Sequence, residues 1–194
     1  MLEIPLSDTK NIIKSLKSGL VVALPTETVY GLAISLNSAA ALEKLIYLKR
    51  REIGSGKVFT LVPESKNDIK KYAIANKIAQ KLISQYIPGE ITLILPKNPE
   101  FHHPYFDHFK TIGIRIPDYP LFSQILRETG PLLLTSANPR GGTPANTSDE
   151  VAKLLPKVDA IVTGKSGQNP PSTIVDCTTS APKVIREGNL KPVF

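Results

Sequence analysis

Short apolar runs that stop abruptly in polar residues recur along this chain. VVAL (21–24) stops at PTET, PLLLT (131–135) runs into SANPRGG, and ITLIL (91–95) ends on Pro96. Each run has the length of a strand buried on both faces, and each is too short for an ordinary helix. Between them lie segments with helical spacing. Residues 8–18 carry Ile12, Ile13 and Leu16 on one face after a capping Asp8, and Gly19 ends the segment. A second helix starts at Ser38, with Ala39, Leu42, Leu45 and Ile46 on one side and Lys49, Arg50 and Arg51 in its last turn. Residues 66–86 read as one or two helices closed by Pro88-Gly89, and 121–130 as a helix with a glycine stop. SDEVAKLL (148–155) reads as a helix capped by Ser148 that buries Val151. LAISL (32–36), KVFTLV (57–62), TIGIRIP (111–117), DAIVTG (159–164), STIVDC (172–177) and PKVIRE (182–187) complete the strands. Such alternation predicts an α/β fold, a twisted open mixed sheet with flanking helices. No linker, repeat or shift of composition divides it, so residues 1–194 read as a single domain. Ligands of open sheets of this kind sit beyond the carboxyl ends of strands, which is where PTET and TSAN fall.

Composition narrows the partners. The chain has 194 residues, 41% hydrophobic and 21% charged, and a formal net charge of +7. That balance suits a globular protein with anionic partners, or one that is merely soluble. Trp is absent and aromatics make up 6%, which argues against a stacking platform for single strands. The lone cysteine, Cys177, sits in an apolar run and reads as a structural thiol. No run reaches the ~20 residues of a membrane span. The segment MLEIPLSDTK lacks a secretory pattern, so a cytoplasmic location is expected.

Several familiar signatures fail. In GSGKV (54–58), Arg51 takes the place of the first P-loop glycine and Val58 that of the Ser/Thr. There is no GxGxxG after a strand, no GxSxG and no HExxH. His102, His103 and His108 share one loop without helical pairing and read as surface residues. What remains is a set of polar clusters: Thr26-Glu27-Thr28, Lys49-x-Arg51 with Lys57, Thr111 with Arg115, Ser136-x-Asn138, and late in the chain Ser172-Thr173 and Arg186. Thr111, Gly113 and Arg115 fall on one strand face, with the glycine leaving room for a close approach. Taken singly, each cluster has a plain reading as a turn, a solvated helix end or an edge pair. Taken together, many cations and small hydroxyls describe a pocket for a polyanion.

The ordered set ALPTETVYGLA, LKRR, PGEITLILP, TIGIRIP, LLLTSAN, GTPAN, STIVD and VIREG resembles the YrdC-like family over nearly the whole chain, from Val21 to Gly188. The chain is similar to the short, single-domain members. The resemblance implies a concave basic cavity and an L-threonylcarbamoyladenylate synthase activity. Such enzymes make threonylcarbamoyl-AMP and pyrophosphate from L-threonine, bicarbonate (or carbon dioxide) and ATP, with Mg2+ expected on the triphosphate and no metal ligands from the protein. A separate threonylcarbamoyl transferase then uses the product to modify tRNA. The family's K-x-R and S-x-N tetrad falls on Lys49, Arg51, Ser136 and Asn138. By the same matching, Thr28, Arg115, Ser136 and Ser172 would hold threonine. Arg51, Lys57, Thr111, Asn138, Thr147 and Arg186 would hold ATP, with Asn146 as the alternative to Thr147. Val58 stands where the family usually has proline, and Val62 lies near where some members have histidine.

Two rival readings share these residues. One is a paralogue of the same fold with another substrate. The other is a non-catalytic module for tRNA or double-stranded RNA, held by phosphate contacts alone.

Overall fold

The computed structural model describes residues 1–50, 59–167 and 169–194. Its strands are β1 (Leu2–Pro5), β2 (Val22–Leu24), β3 (Gly31–Ser35), β4 (Thr60–Val62), β5 (Ile91–Pro96), β6 (Thr111–Ile114), β7 (Leu132–Ser136), β8 (Ala160–Thr163), β9 (Thr173–Asp176) and β10 (Lys183–Arg186). They form one mixed sheet in the order β1-β8-β2-β3-β7-β4-β6-β5-β9-β10. The pairs β1/β8, β2/β8, β4/β6 and β5/β9 are parallel and the others antiparallel. The helices are α1 (Thr9–Lys17), α2 (Ala39–Leu48), α3 (Ile69–Tyr72), α4 (Lys77–Tyr86), α5 (Pro120–Thr129) and α6 (Ser148–Leu154).

The expected mixed α/β sheet is therefore present, with three local corrections. The first strand, Leu2–Pro5, has no counterpart in the sequence reading: its burial pattern is one residue in and three out, so it lacks the apolar signal of a core strand. It is held by parallel pairing with β8. The 66–86 region holds two helices, α3 and α4, as its spacing allowed, preceded by a 3-10 turn (Lys66–Asp68). Helix α2 ends at Leu48, with Lys49 as its C-cap and Arg50 at φ 46, so Lys49 and Arg50 are not in its last turn. Helix α6 is capped by Thr147 rather than Ser148: the Thr147 hydroxyl accepts from Glu150 N at 3.2 Å. Among the described residues, no helix is long and apolar enough to cross a membrane.

Two apolar layers flank the sheet, and the strand period of two sorts residues between them. Val21 and Ala23 pack with Leu45, Leu82 and Val151 on the side of α2, α4 and α6. Val22 and Leu24 pack with Ile12, Leu16, Phe122 and Ile125 on the side of α1 and α5. On that second side the helices cover the part of the sheet from β1 toward β7. Farther along, Leu61, Ile112, Leu93 and Val175 point into the first layer. Their alternates Thr60, Gly113, Ile94 and Asp176 line an open cleft in place of a helix.

Candidate functional site

That cleft has a volume of about 650 Å3. Its floor is a face of the sheet: Leu134, Thr60, Gly113, Ile94 and Asp176 follow one another in register across β7, β4, β6, β5 and β9. The site therefore spreads over the sheet rather than sitting only beyond strand ends, and PTET and TSAN form one of its rims. Gly113 has the predicted role. A Cβ there would meet nothing nearer than 3.8 Å, so a side chain would project into the cleft itself.

Backbone hydrogen bonds knit three loops into that rim. Ala137 N donates to Tyr30 O at 2.7 Å, Tyr30 N to Ala145 O at 2.8 Å, and Ala145 N to Ala137 O at 3.0 Å. Gly167 N donates to Thr26 O at 3.0 Å, and a Cβ on Gly167 would lie 1.8 Å from Glu27 O, so only glycine fits there. Tyr30 anchors the loop from below, with its hydroxyl donating to Val162 O at 2.8 Å; burial pushes that phenol's pKa up.

Lys49 lines the cleft, yet it is only 4% exposed. Burying an ammonium costs several kcal/mol (roughly) unless acceptors replace water. Its Nζ donates to Ser136 O at 2.7 Å, Asn138 O at 2.6 Å and Asn138 Oδ1 at 3.0 Å. Ser136 Oγ also donates to Asn138 Oδ1, at 2.6 Å, and Asn138 Nδ2 donates to the carbonyls of Pro139 and Gly142. Lys49, Ser136 and Asn138 thus act as one unit that shapes the turn after β7. Arg51 and Lys57 lie outside the described residues.

Opposite that unit stands Arg115, 7% exposed. Its Nη2 donates to Glu27 Oε1 at 2.9 Å and Thr28 Oγ1 at 2.8 Å. Arg115 Nε and Glu27 Oε2 are buried and have no hydrogen-bond partner among the described residues. Thr28 is fully buried behind this pair, so Thr26 lines the cleft where Thr28 was expected. Thr26 Oγ1 donates to Val29 O at 2.7 Å and lies 3.0 Å from Thr28 Oγ1. A third group joins residues expected to serve different ligands. Arg186 Nε and Nη2 donate to Ser172 O at 3.0 and 2.8 Å, and Ser172 Oγ lies 2.8 Å from Thr92 Oγ1. Burial, and then the like charge of Arg115, lower the pKa of Arg186. An anion between the two guanidiniums relieves that repulsion.

Of the residues singled out from sequence, Lys49, Thr111, Arg115, Ser136, Asn138, Ser172 and Arg186 line this one cleft. Thr147 does not: its hydroxyl caps α6. Asn146 does not either, and its side chain accepts from Ser166 Oγ at 3.1 Å. Val62 is fully buried in the second apolar layer. His103 is tied to Leu36 O through Nε2 at 2.9 Å, and no group of three His, Cys, Asp or Glu residues among those described is arranged to hold a metal ion. Thr92, Arg140 and Asp176 also line the cleft and were missed. Alternation with Ile94 flags Thr92, and alternation with Ser172 and Ile174 flags Asp176; nothing in the sequence flags Arg140. The described charges on the lining are Lys49, Arg115, Arg140 and Arg186 against Asp176.

The Sua5/YciO/YrdC family model, described as "Telomere recombination", matches residues 14–188. A Vibrio campbellii protein named "Threonylcarbamoyl-AMP synthase" is 33% identical over 185 residues, covering 92% of this chain and 98% of that protein. E. coli YciO superposes with a TM-score of 0.83 at 26% identity, covering 97% of this chain and 94% of YciO. P. abyssi Sua5 complexed with L-threonine superposes with a TM-score of 0.85 at 24% identity, a likeness of fold. That match covers 97% of this chain and only 57% of Sua5.

Proposed function

The chain belongs to the Sua5/YciO/YrdC family, and from that premise we propose that it is an L-threonylcarbamoyladenylate synthase, a nucleotidyltransferase. Its substrates are L-threonine, bicarbonate or carbon dioxide, and ATP, with magnesium carried on the triphosphate. The observation that carries this reading is the gathering of Lys49, Arg115 and Arg186 with Ser136, Asn138 and Ser172 around one cleft large enough for two substrates. Residues 1–194 are read as one catalytic domain, working in the cytoplasm. The product passes to a threonylcarbamoyl transferase acting on tRNA.

The chemistry runs in two steps. The free amine of threonine forms an N–C bond to carbon dioxide and loses a proton, giving a carbamate anion. A carbamate oxygen then bonds to the α-phosphorus of ATP as the bond to the β-phosphate oxygen breaks and pyrophosphate leaves. Two anions must approach, so fixed positive charge is the first requirement. Arg115, already oriented by Glu27 and Thr28, holds the threonine carboxylate, with Ser136 and Ser172 nearby. Asn138, Thr111 and Arg186 serve the nucleotide, with Arg51 and Lys57 as further expected phosphate ligands. Lys49 acts mainly by fixing the turn that presents Ser136 and Asn138, and its charge lies beneath the reacting groups. Little covalent work falls to the protein; orientation and electrostatics carry the reaction.

The direct test is pyrophosphate release from ATP by the purified chain. Release that requires both threonine and bicarbonate supports the synthase. Release without them overturns it. The full-length likeness to YciO favours a second reading, a paralogue with another amine, for which a different amino compound would restore release. Binding of tRNA without any release, weakening steeply with salt, would point instead to the RNA-binding module.

A further inference from the structure

One cation on the cleft lining is built unlike the others. Lys49, Arg115 and Arg186 are committed to protein acceptors: Lys49 to oxygens of Ser136 and Asn138, Arg115 to Glu27 and Thr28, and Arg186 to Ser172. Arg140 lines the same cleft, is exposed, and makes no hydrogen bond or ion pair through its side chain with any described residue. A residue both exposed and on the lining stands at the mouth.

Its backbone, by contrast, is held firmly. Gly142 N donates to Pro139 O at 3.0 Å, closing a four-residue turn with Arg140 second and Gly141 third. Gly141 has φ 79, the positive angle that the third position of a type II turn requires and that glycine adopts without strain. Asn138 Nδ2 donates to the carbonyls of both Pro139 and Gly142, so one side-chain amide grips the two ends of the turn. Asn138 is itself fixed by Lys49 and Ser136. The result is a stalk rooted on a buried ammonium, with an uncommitted guanidinium at its tip. A surface arginine kept only for solubility needs neither the cleft nor the stalk.

Resting on the synthase reading, we propose that Arg140 is a catalytic residue that binds the leaving pyrophosphate at the cleft mouth, and that the 139–142 turn is the arm that holds it there. In the second step a carbamate oxygen bonds to the α-phosphorus. The bond from that phosphorus to the oxygen bridging to the β-phosphate breaks, and the electron pair leaves on that oxygen. Pyrophosphate therefore carries more negative charge than the same atoms carried within ATP, and no proton moves. The inner cations have donors already spent on the protein. Arg140 has its whole fork of N–H donors free, in the geometry that fits two phosphate oxygens. A donor placed where charge develops lowers the barrier more than it tightens substrate binding.

Kinetics of threonine-dependent pyrophosphate release, with calorimetric titration of pyrophosphate and of L-threonine, tests this on the full chain. Arg140→Ala should lower kcat by about 10²-fold, the lower end of the range for losing one preorganised donor. KM for threonine should stay unchanged. Pyrophosphate should bind about tenfold more weakly to this variant, and L-threonine as tightly as to the wild type. Gly141→Val keeps the guanidinium but strains the turn at its positive φ, so it should weaken pyrophosphate by a similar factor. Full pyrophosphate affinity in either variant, or equal loss of pyrophosphate and threonine, overturns the assignment. The synthase reading fails separately. If Arg140→Ala loses pyrophosphate but the wild type shows no threonine-dependent release, the anion site stands and the synthase falls. Threonine-dependent release that is the same in wild type and Arg140→Ala gives the reverse.

Discussion

Lys49 is a cation that the fold has drawn under a loop and surrounded with carbonyl oxygens. Its removal leaves those acceptors buried and releases the Ser136–Asn138 turn, so two costs combine. Lys49→Ala is expected to lower kcat/KM for threonine-dependent pyrophosphate release by roughly 10²–10³-fold, the range for losing one preorganised donor. Lys49→Arg should not restore it, because a planar guanidinium cannot converge on three acceptors as a rotating ammonium does. Equal activity of Lys49→Arg and wild type would overturn this positioning role. Cys177 makes a different residue-scale prediction. It is buried, and burial, with Asp176 beside it, pushes its thiol up from 9.0 to about 11. The folded state thus favours the neutral thiol. Its contribution to stability is complete below pH 9 and is lost as pH rises toward 11. Iodoacetamide should label Cys177 slowly at pH 8 in the native protein and quickly in denaturant. Urea midpoints of wild type and Cys177→Ala should converge or cross between pH 9 and 11, and parallel profiles would refute the linkage.

Among the elements, α6 separates a structural from a ligand-binding role for one hydroxyl. Thr147 caps the helix, and Asp149 and Glu150 in the first turn suit its positive end. Thr147→Val should therefore cost about 1 kcal/mol of stability, Thr147→Ser should cost little, and neither should change KM for ATP. A raised KM in Thr147→Val at unchanged stability would return the residue to the nucleotide site. The same helix shows what a sequence makes legible. Thr147 and Ser148 are both good caps, and only the backbone angles decide between them. Strands β2, β5 and β7 were readable because burial on both faces leaves an unbroken apolar run. β1 was not, because it borrows its stability from pairing with β8 and buries mainly Ile4. The site divides in the same way. Alternation along single strands placed Thr111, Gly113 and Arg115 on one face correctly. Lys49 read as part of a helix end, because its true partners lie 87 and 89 positions away. Contacts at that separation leave no local pattern to read.

At the scale of the whole molecule, the cleft exists because two helices cover one face of a ten-stranded sheet only in part. The floor is rigid: its strands are paired on both sides, and the opposite face is sealed by the larger apolar layer. Ligands therefore meet a preformed surface, and shape changes of the floor should alter binding without unfolding the protein. Gly113 is the place to test this, since its missing side chain opens directly into the cleft and a Cβ would meet only ordinary contacts at 3.8–3.9 Å. Gly113→Val adds a β-branched residue to a strand, which suits the backbone, and sets two methyl groups where the substrates would lie. The ligand-free melting temperature should move by no more than a few degrees, on the order of 1 kcal/mol. The added stability from ATP and threonine together should largely disappear, because linkage scales with affinity. Thermal melts of both proteins, with and without the two ligands, measure both terms. If Gly113→Val keeps the full ligand-induced shift, the substrates bind elsewhere than over the sheet. If the ligand-free protein melts far lower, the floor is not the independent platform that its pairing describes.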